Sequence, residues 1–163
     1  MSYDLSSHDL SIIYYLFNKL PNKINNISYA MLKKNISDIS NLSFKLKNFF
    51  VDINNSWLNP DKIRRITIVT DKKMLLFDEI RTIDKIKIFN KYASYPKISD
   101  FDNKFFDQKA KIYEGKSFVP KIIQNDTLKD ELNYFFNCIK KKQKPITDIN
   151  FATQILKSLK MCV

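Results

Sequence analysis

Near its start the chain carries Asp4-Leu5-Ser6-Ser7-His8-Asp9, the stretch whose residue types and spacing best suit chemistry. His8 is the one histidine in the sequence, and it stands four residues after a carboxylate. Ser6 with Asp9 three residues later fits a capping box, which places His8 in the first turn of a helix. A neutral imidazole there can take a proton from a substrate hydroxyl. Asp4, just ahead of the helix, can orient the ring or hold a hydroxyl. The same residues also suit a purely structural helix start.

Other candidates are more scattered. Trp57 can stack on a sugar or base, or simply anchor the end of a strand. Arg64 and Arg65 point to opposite faces of one strand, so only one of them can face a cleft. Each can hold a phosphate or pair with Asp78 or Glu79 across a hairpin. Cys138 and Cys162 have neither pairing nor metal-ligand spacing and read as small buried residues. No metal-binding set is expected.

The elements that must position these residues follow from periodicity. Ser7 to Leu20 reads as a helix, with Ile12, Ile13, Leu16, Phe17 and Leu20 at helical spacing and Pro21-Asn22 as the stop. Its apolar residues nearly surround it, which predicts burial. The period then drops to two. Ile24 to Ala30 is a strand, and Leu42, Phe44 and Leu46 alternate with polar residues in another. A tight turn at Asn48 leads into Phe49 to Ser56. Arg65 to Thr70 and Met74 to Asp78 form a second hairpin across Asp71-Lys72-Lys73, and Lys85 to Asn90 adds a strand. Lys91 to Ala110, with Pro96, reads as a long loop, and Ile112 to Val119 as an edge strand around Gly115. Two helices close the chain, one striped by Leu128, Leu132, Phe135, Phe136 and Ile139, the other by Phe151, Ala152, Ile155, Leu156 and Leu159. The order predicts one α+β domain over residues 1–163: a mainly antiparallel open sheet with helices on one face. Phe50, Val69 and Leu75 suggest that the other face is partly apolar, which marks a protein interface.

Composition removes several function classes. The chain has 163 residues and is 44% hydrophobic, enough for a real core. No apolar run approaches the ~18 to 20 residues that span a bilayer. Met1 to Leu10 lacks the basic cluster of a signal peptide, so cytoplasm is the expectation. A net charge of +11 invites nucleic acid. Yet only Arg64, Arg65 and Arg81 are arginines, the residue that reads bases by its fork. The lysines are scattered and rise together with asparagine, isoleucine, phenylalanine and tyrosine, a pattern of A/T-rich codons. Nucleic acid is therefore not the expected partner.

The run from Ser56 to Asp78, Ser-Trp-Leu-Asn-Pro-Asp-Lys-Ile-Arg-Arg-Ile-Thr-Ile-Val-Thr-Asp-Lys-Lys-Met-Leu-Leu-Phe-Asp, resembles the centre of the second domain of Gfo/Idh/MocA oxidoreductases. Leu-x-x-Glu-Leu-x-x-Phe-x-x-Cys-Ile from Leu128, followed by Lys-Pro-Ile-Thr-Asp, resembles that family's tail. The resemblance implies a dihydrodipicolinate-reductase-like sheet domain. It also implies an NAD- or NADP-dependent oxidation of a sugar, and, among subgroups, of a UDP-N-acetylhexosamine-type nucleotide sugar in surface-polysaccharide synthesis. Family members carry Asp-x-x-x-His at the start of this domain's first helix. The match makes His8 the acid/base, Asp4 its substrate-positioning partner and Asp9 the usual following aspartate. The family commonly has glycine where this chain has Ser6. Trp57 and Arg64 are the further substrate-contact candidates.

What the resemblance lacks is equally informative. A nicotinamide enzyme needs a glycine-rich turn under the pyrophosphate, and Gly115 is the one glycine here. The family's lysine, between Glu and Pro on the cofactor domain, has no counterpart: Lys97 follows Pro96 and Lys144 precedes Pro145. The chain thus resembles half an enzyme, with no cofactor-binding residues of its own and a separate Rossmann domain implied as partner. Self-association through the open sheet face is expected. The rival reading is a non-catalytic remnant that acts only as an association module.

Overall fold

The computed structural model describes residues 4–94, 110–123 and 125–162. Backbone contacts divide the chain into two compact units, Met1–Pro60 with Asn125–Val163, and Asp61–Gln124. The fold is α+β, and every strand pairing is antiparallel.

The first unit opens with helix α1, Leu5–Phe17. It begins two residues earlier than a Ser6 cap would place it. Asp4 occupies the N-cap position without a side-chain capping bond, and Ser6 lies inside the helix and is fully buried. Its hydroxyl is taken by Asn55 from a strand, so a tertiary hydrogen bond displaces the expected local one. The helix also stops early. Asn18 turns left-handed at φ 48° and donates its N–H to the Tyr14 carbonyl, because asparagine tolerates that conformation before Pro21 is reached. Nor is the helix buried all round: Leu10 is enclosed, while Tyr15, Leu16 and Phe17 are exposed.

Strands β1 (Asn25–Tyr29), β2 (Ile39–Leu46) and β3 (Phe49–Ser56) form a sheet in that order. Alternation sends Leu42, Phe44 and Leu46 to one face, where they meet Ile53, Leu10, Ile155 and Leu159 in the core. The β2–β3 turn is tight, but its positive φ falls on Lys47 (52°) rather than on Asn48.

Helices α2 (Thr127–Lys141) and α3 (Ile149–Lys160) complete the unit. Both start on aspartate caps: Asp126 accepts from the Lys129 N–H, and Asp148 from the Phe151 N–H at 2.8 Å. α1 packs against α3 and β3. α2 contributes no residue to that core. Cys138 is its one buried residue, and Leu128, Leu132, Phe135, Phe136 and Ile139 stand about half or more exposed.

The second unit is a four-stranded sheet of β4 (Arg65–Val69), β5 (Met74–Asp78), β6 (Ile86–Ser94) and β7 (Lys111–Phe118), in sequence order. The expected single sheet is thus two sheets, of three and four strands. β6 runs to Ser94, four residues into the segment read as loop; residues 95–109 of that segment lie outside the described residues. The β4–β5 turn closes where expected, with the Thr70 N–H donating to the Lys73 carbonyl at 2.9 Å. Register places Ile66, Ile68, Leu75, Phe77, Ile86 and Ile88 on one face, all half-buried. Phe50, Val69 and Leu75 do not share a face: Phe50 belongs to the first sheet, and Val69 and Leu75 lie on opposite sides of the second.

Gly115 has a steric reason. The β6–β7 register is irregular between Phe89 and Lys91, and a Cβ on Gly115 would sit 2.7 Å from the Asn90 carbonyl oxygen. The residue admits a close backbone approach at a bulge.

Candidate active site

The start of α1 is fixed by one side chain from β3. The Asn55 amide donates to the Ser6 hydroxyl at 3.1 Å and to the Asp9 carboxylate at 3.1 Å. Ser6 is fully buried and Asp9 half-buried, so the amide ties the first turn of the helix to the sheet at two points. Ser7 and Ser11 donate to the carbonyls of Asp4 and His8, at 2.7 and 2.6 Å, so these two hydroxyls are satisfied within the helix.

Asp4 and His8 are both exposed. Residues four apart lie on one face of a helix, so carboxylate and imidazole share a side of the first turns. The imidazole makes no hydrogen bond among the described residues, and none joins it to Asp4. Asp9, one residue on, faces the sheet and is held by Asn55. The structure therefore brings Asp9 into the anchor of the helix and leaves Asp4 and His8 open to solvent.

Trp57 follows β3 directly. Its N–H donates to the Asp38 carbonyl at 2.9 Å, while its ring is 62% exposed. Backbone anchorage and an open ring coexist at this residue. The Asp38 carboxylate accepts from the Met31 and Leu32 N–H groups at 2.7 and 2.8 Å, which shapes the loop beside it.

In the second unit both arginines are paired across the hairpin. Arg64 meets Glu79 at 3.1 Å and Arg65 meets Asp78 at 2.9 Å. The hydrogen bond from Arg65 holds the Asp78 carboxyl below the usual carboxylate range; the charges of Arg65 and Arg81 add to this, and partial burial opposes it. Among the described residues no cluster of three or more histidine, cysteine or carboxylate side chains has metal-site geometry. Cys138 and Cys162 are buried thiols, and burial pushes the Cys162 thiol up.

Asn55 escaped the sequence reading, although a signal existed. Val51, Ile53 and Asn55 alternate onto the same face of β3, the core face. A polar side chain at such a position requires a buried partner.

A dinucleotide does not fit the residues present. The described strands form no parallel βαβ unit, and Gly115 lies within an edge strand against Asn90 rather than in a turn leading to a helix. No helix among the described residues is long and apolar enough to cross a membrane.

No protein-family model matches this chain, and no curated protein does. Solved structures do. A putative oxidoreductase from Magnetospirillum magnetotacticum MS-1 aligns with a TM-score of 0.73 at 17% identity, over 100% of this chain and 48% of that one. The UDP-N-acetylglucosamine 3-dehydrogenase GnnA from Acidithiobacillus ferrooxidans aligns at 0.69 and 15%, over 96% of this chain and 43% of its own length. At these identities the likeness is one of fold. It agrees with the fold expected of the second domain of Gfo/Idh/MocA oxidoreductases. The chain spans less than half the length of either structure.

Proposed function

We propose that this chain is the substrate-binding half of an NAD(P)-dependent dehydrogenase of the Gfo/Idh/MocA type, acting on a sugar or nucleotide sugar of the UDP-N-acetylhexosamine class. The observation that carries the reading is the full-length fold match to less than half of two oxidoreductase chains, one of them a nucleotide-sugar dehydrogenase. The Asp4-x-x-x-His8 element on an anchored, solvent-facing helix start supports it.

Oxidation of a hydroxyl divides into a hydride and a proton. In this reading the cofactor that takes the hydride is held by another polypeptide segment. The proton falls to this chain. The His8 imidazole accepts it from the substrate hydroxyl, and Asp4, on the same side of the first turns, holds the hydroxyl or the ring. The Asn55 amide keeps the helix start in place, because a misplaced general base loses most of its effect. Trp57 is the further substrate contact of the same unit, while Asp9 acts through the anchor of the helix. Arg64, paired through one terminal nitrogen with Glu79, keeps further N–H donors for a phosphate. The half-buried apolar face of the four-stranded sheet serves self-association. The complete enzyme works in the cytoplasm.

The test is reconstitution. A nicotinamide-binding polypeptide supplied in trans should restore sugar oxidation, and His8→Asn should then lower turnover by ~10²- to 10⁴-fold. Asp4→Asn should lower it less. Full activity in His8→Asn would remove His8 from the mechanism. Micromolar NADH binding by the chain alone, read by calorimetry, would overturn the division into halves.

A further inference from the structure

Folding gathers lysines that the sequence spreads over nearly thirty positions. A cleft of about 470 Å³ opens where α1 has ended and where β2 outruns β1. Lys19 and Lys23 line it from the segment after the helix, and Lys45 and Lys47 from the end of β2 and its turn. None of the four makes an ion pair among the described residues, and no carboxylate lines the cleft. The nearest acid by register is Asp52, opposite Ser43, and Asn41 engages it at 2.9 Å. Asn22, Asn25 and Ser43 add neutral donors to the lining, and the half-buried Leu20 adds apolar surface.

Packing does not require this charge. Lysines beyond a helix end complement its carbonyl pole, which accounts for Lys19 and Lys23. It does not account for Lys45 and Lys47, which come from another element. Lys47 moreover holds φ 52°, a conformation in which asparagine or glycine is less strained, although Asn48 stands next to it in the turn. Strain retained at a charged residue on the lip of a cationic cleft favours a role in binding.

We propose that this cleft is an anion site for a small multivalent phosphate, a diphosphate or its nucleoside ester. Four lysines lining one cleft from two segments suit a multiply charged anion such as a phosphate or diphosphate better than a singly charged carboxylate. The amide and hydroxyl donors suit the oxygens between the lysines, and Leu20 offers apolar contact to an attached ring. The site is distinct from the candidate active site. His8 and Phe17 are separated by about 14 Å along the axis of α1, and the cleft lies past the far end. The inference does not depend on the dehydrogenase reading.

The experiment is a calorimetric titration of the full chain with inorganic pyrophosphate, then with ADP, at low and at physiological salt. We expect saturable one-to-one binding that weakens as salt rises. The double variant K23E/K45E should weaken it at least tenfold. The control K140E/K141E, at the exposed end of α2, should change it less than twofold, as should His8→Asn. Lys47→Asn separates binding from architecture: it should leave thermal stability unchanged or higher while lowering affinity several-fold. Absence of saturable binding would overturn the proposal. So would equal losses in the cleft and control variants, or binding of single-stranded oligonucleotide in preference to pyrophosphate, which would make the lysines part of a nucleic-acid surface.

Discussion

Asn55 does for the candidate site what no residue of α1 does for itself. A capping serine would have satisfied the helix start locally and left its direction to the packing of Leu10. Ser6 instead points its hydroxyl into the sheet, and one amide there meets both that hydroxyl and Asp9. Replacing Asn55 with alanine should strand a fully buried hydroxyl and release a half-buried carboxylate. The expected loss is about 1 to 3 kcal/mol of unfolding free energy, the usual cost of an unmade buried hydrogen bond, read from urea unfolding. Asn55→Asp should be worse than Asn55→Ala, because it sets a second carboxylate against Asp9. The reverse order would mean that the amide is not the donor. Sequence spacing made Asp4 and His8 visible here. It could not show Asn55, forty-six residues from Asp9, because a polar residue in a strand announces a partner but not which one.

The second residue-scale case concerns the Lys-Pro-Ile-Thr-Asp tail. Asp148 caps α3 through the Phe151 N–H and meets Lys144 at 2.8 Å. The hydrogen bond from Lys144, followed by that from the Phe151 N–H, lowers the Asp148 carboxyl below its ordinary value, and Asp148 raises Lys144 in return. A carboxyl with a lowered folded-state value contributes stability above its unfolded value and loses it as pH falls through the folded one. Asp148→Asn keeps a good cap and removes the charge. The stability gap between the two proteins should therefore be present at neutral pH and close as pH drops below the ordinary carboxylate range. A gap that persists in strong acid would assign the effect to cap geometry rather than charge.

At the scale of elements, what could be read and what could not divides along the range of the forces. The β2–β3 hairpin, the β4–β5 hairpin, the edge strand around Gly115 and both C-terminal helices were legible, because alternation, turn residues and apolar stripes act over a few positions. The ends of α1 were not, because Asn55 and Asn18 decide them. The split into two sheets was not, because pairing between β3 and β4 leaves no local trace. Gly115 was placed in an edge strand, and the close approach of the Asn90 backbone gives it a packing reason there. Gly115→Ala should push its methyl group against the Asn90 backbone, where a flexible side chain cannot yield. The expected cost is about 1 to 3 kcal/mol, as for other overpacked sites. Faster amide exchange should be confined to β7 and the second half of β6. Protection lost evenly across the chain would argue against a local bulge.

For the molecule as a whole, the informative surface is α2. Its stripe has the spacing of a core-facing helix, yet its five large apolar side chains stand about half or more exposed and none belongs to the core. Apolar stripes of that length are seldom left in water, and the chain spans less than half of the oxidoreductase chains whose fold it shares. If α2 is a surface in this chain, it should respond to charge as a surface does. Leu132→Lys and Phe135→Lys should leave unfolding free energy within about half a kcal/mol, as ordinary surface changes do. Leu42→Ala in the core should cost about 2 to 5 kcal/mol. The same two lysine variants should bind less of a hydrophobic dye and reduce association at high concentration in sedimentation. Ile68→Lys, on the half-buried face of the four-stranded sheet, supplies the comparison for the self-association proposed through that face. If α2 variants unfold the chain as Leu42→Ala does, the stripe is part of this chain's own core. If they leave both stability and association untouched while Ile68→Lys disperses the oligomer, the sheet face alone holds copies together.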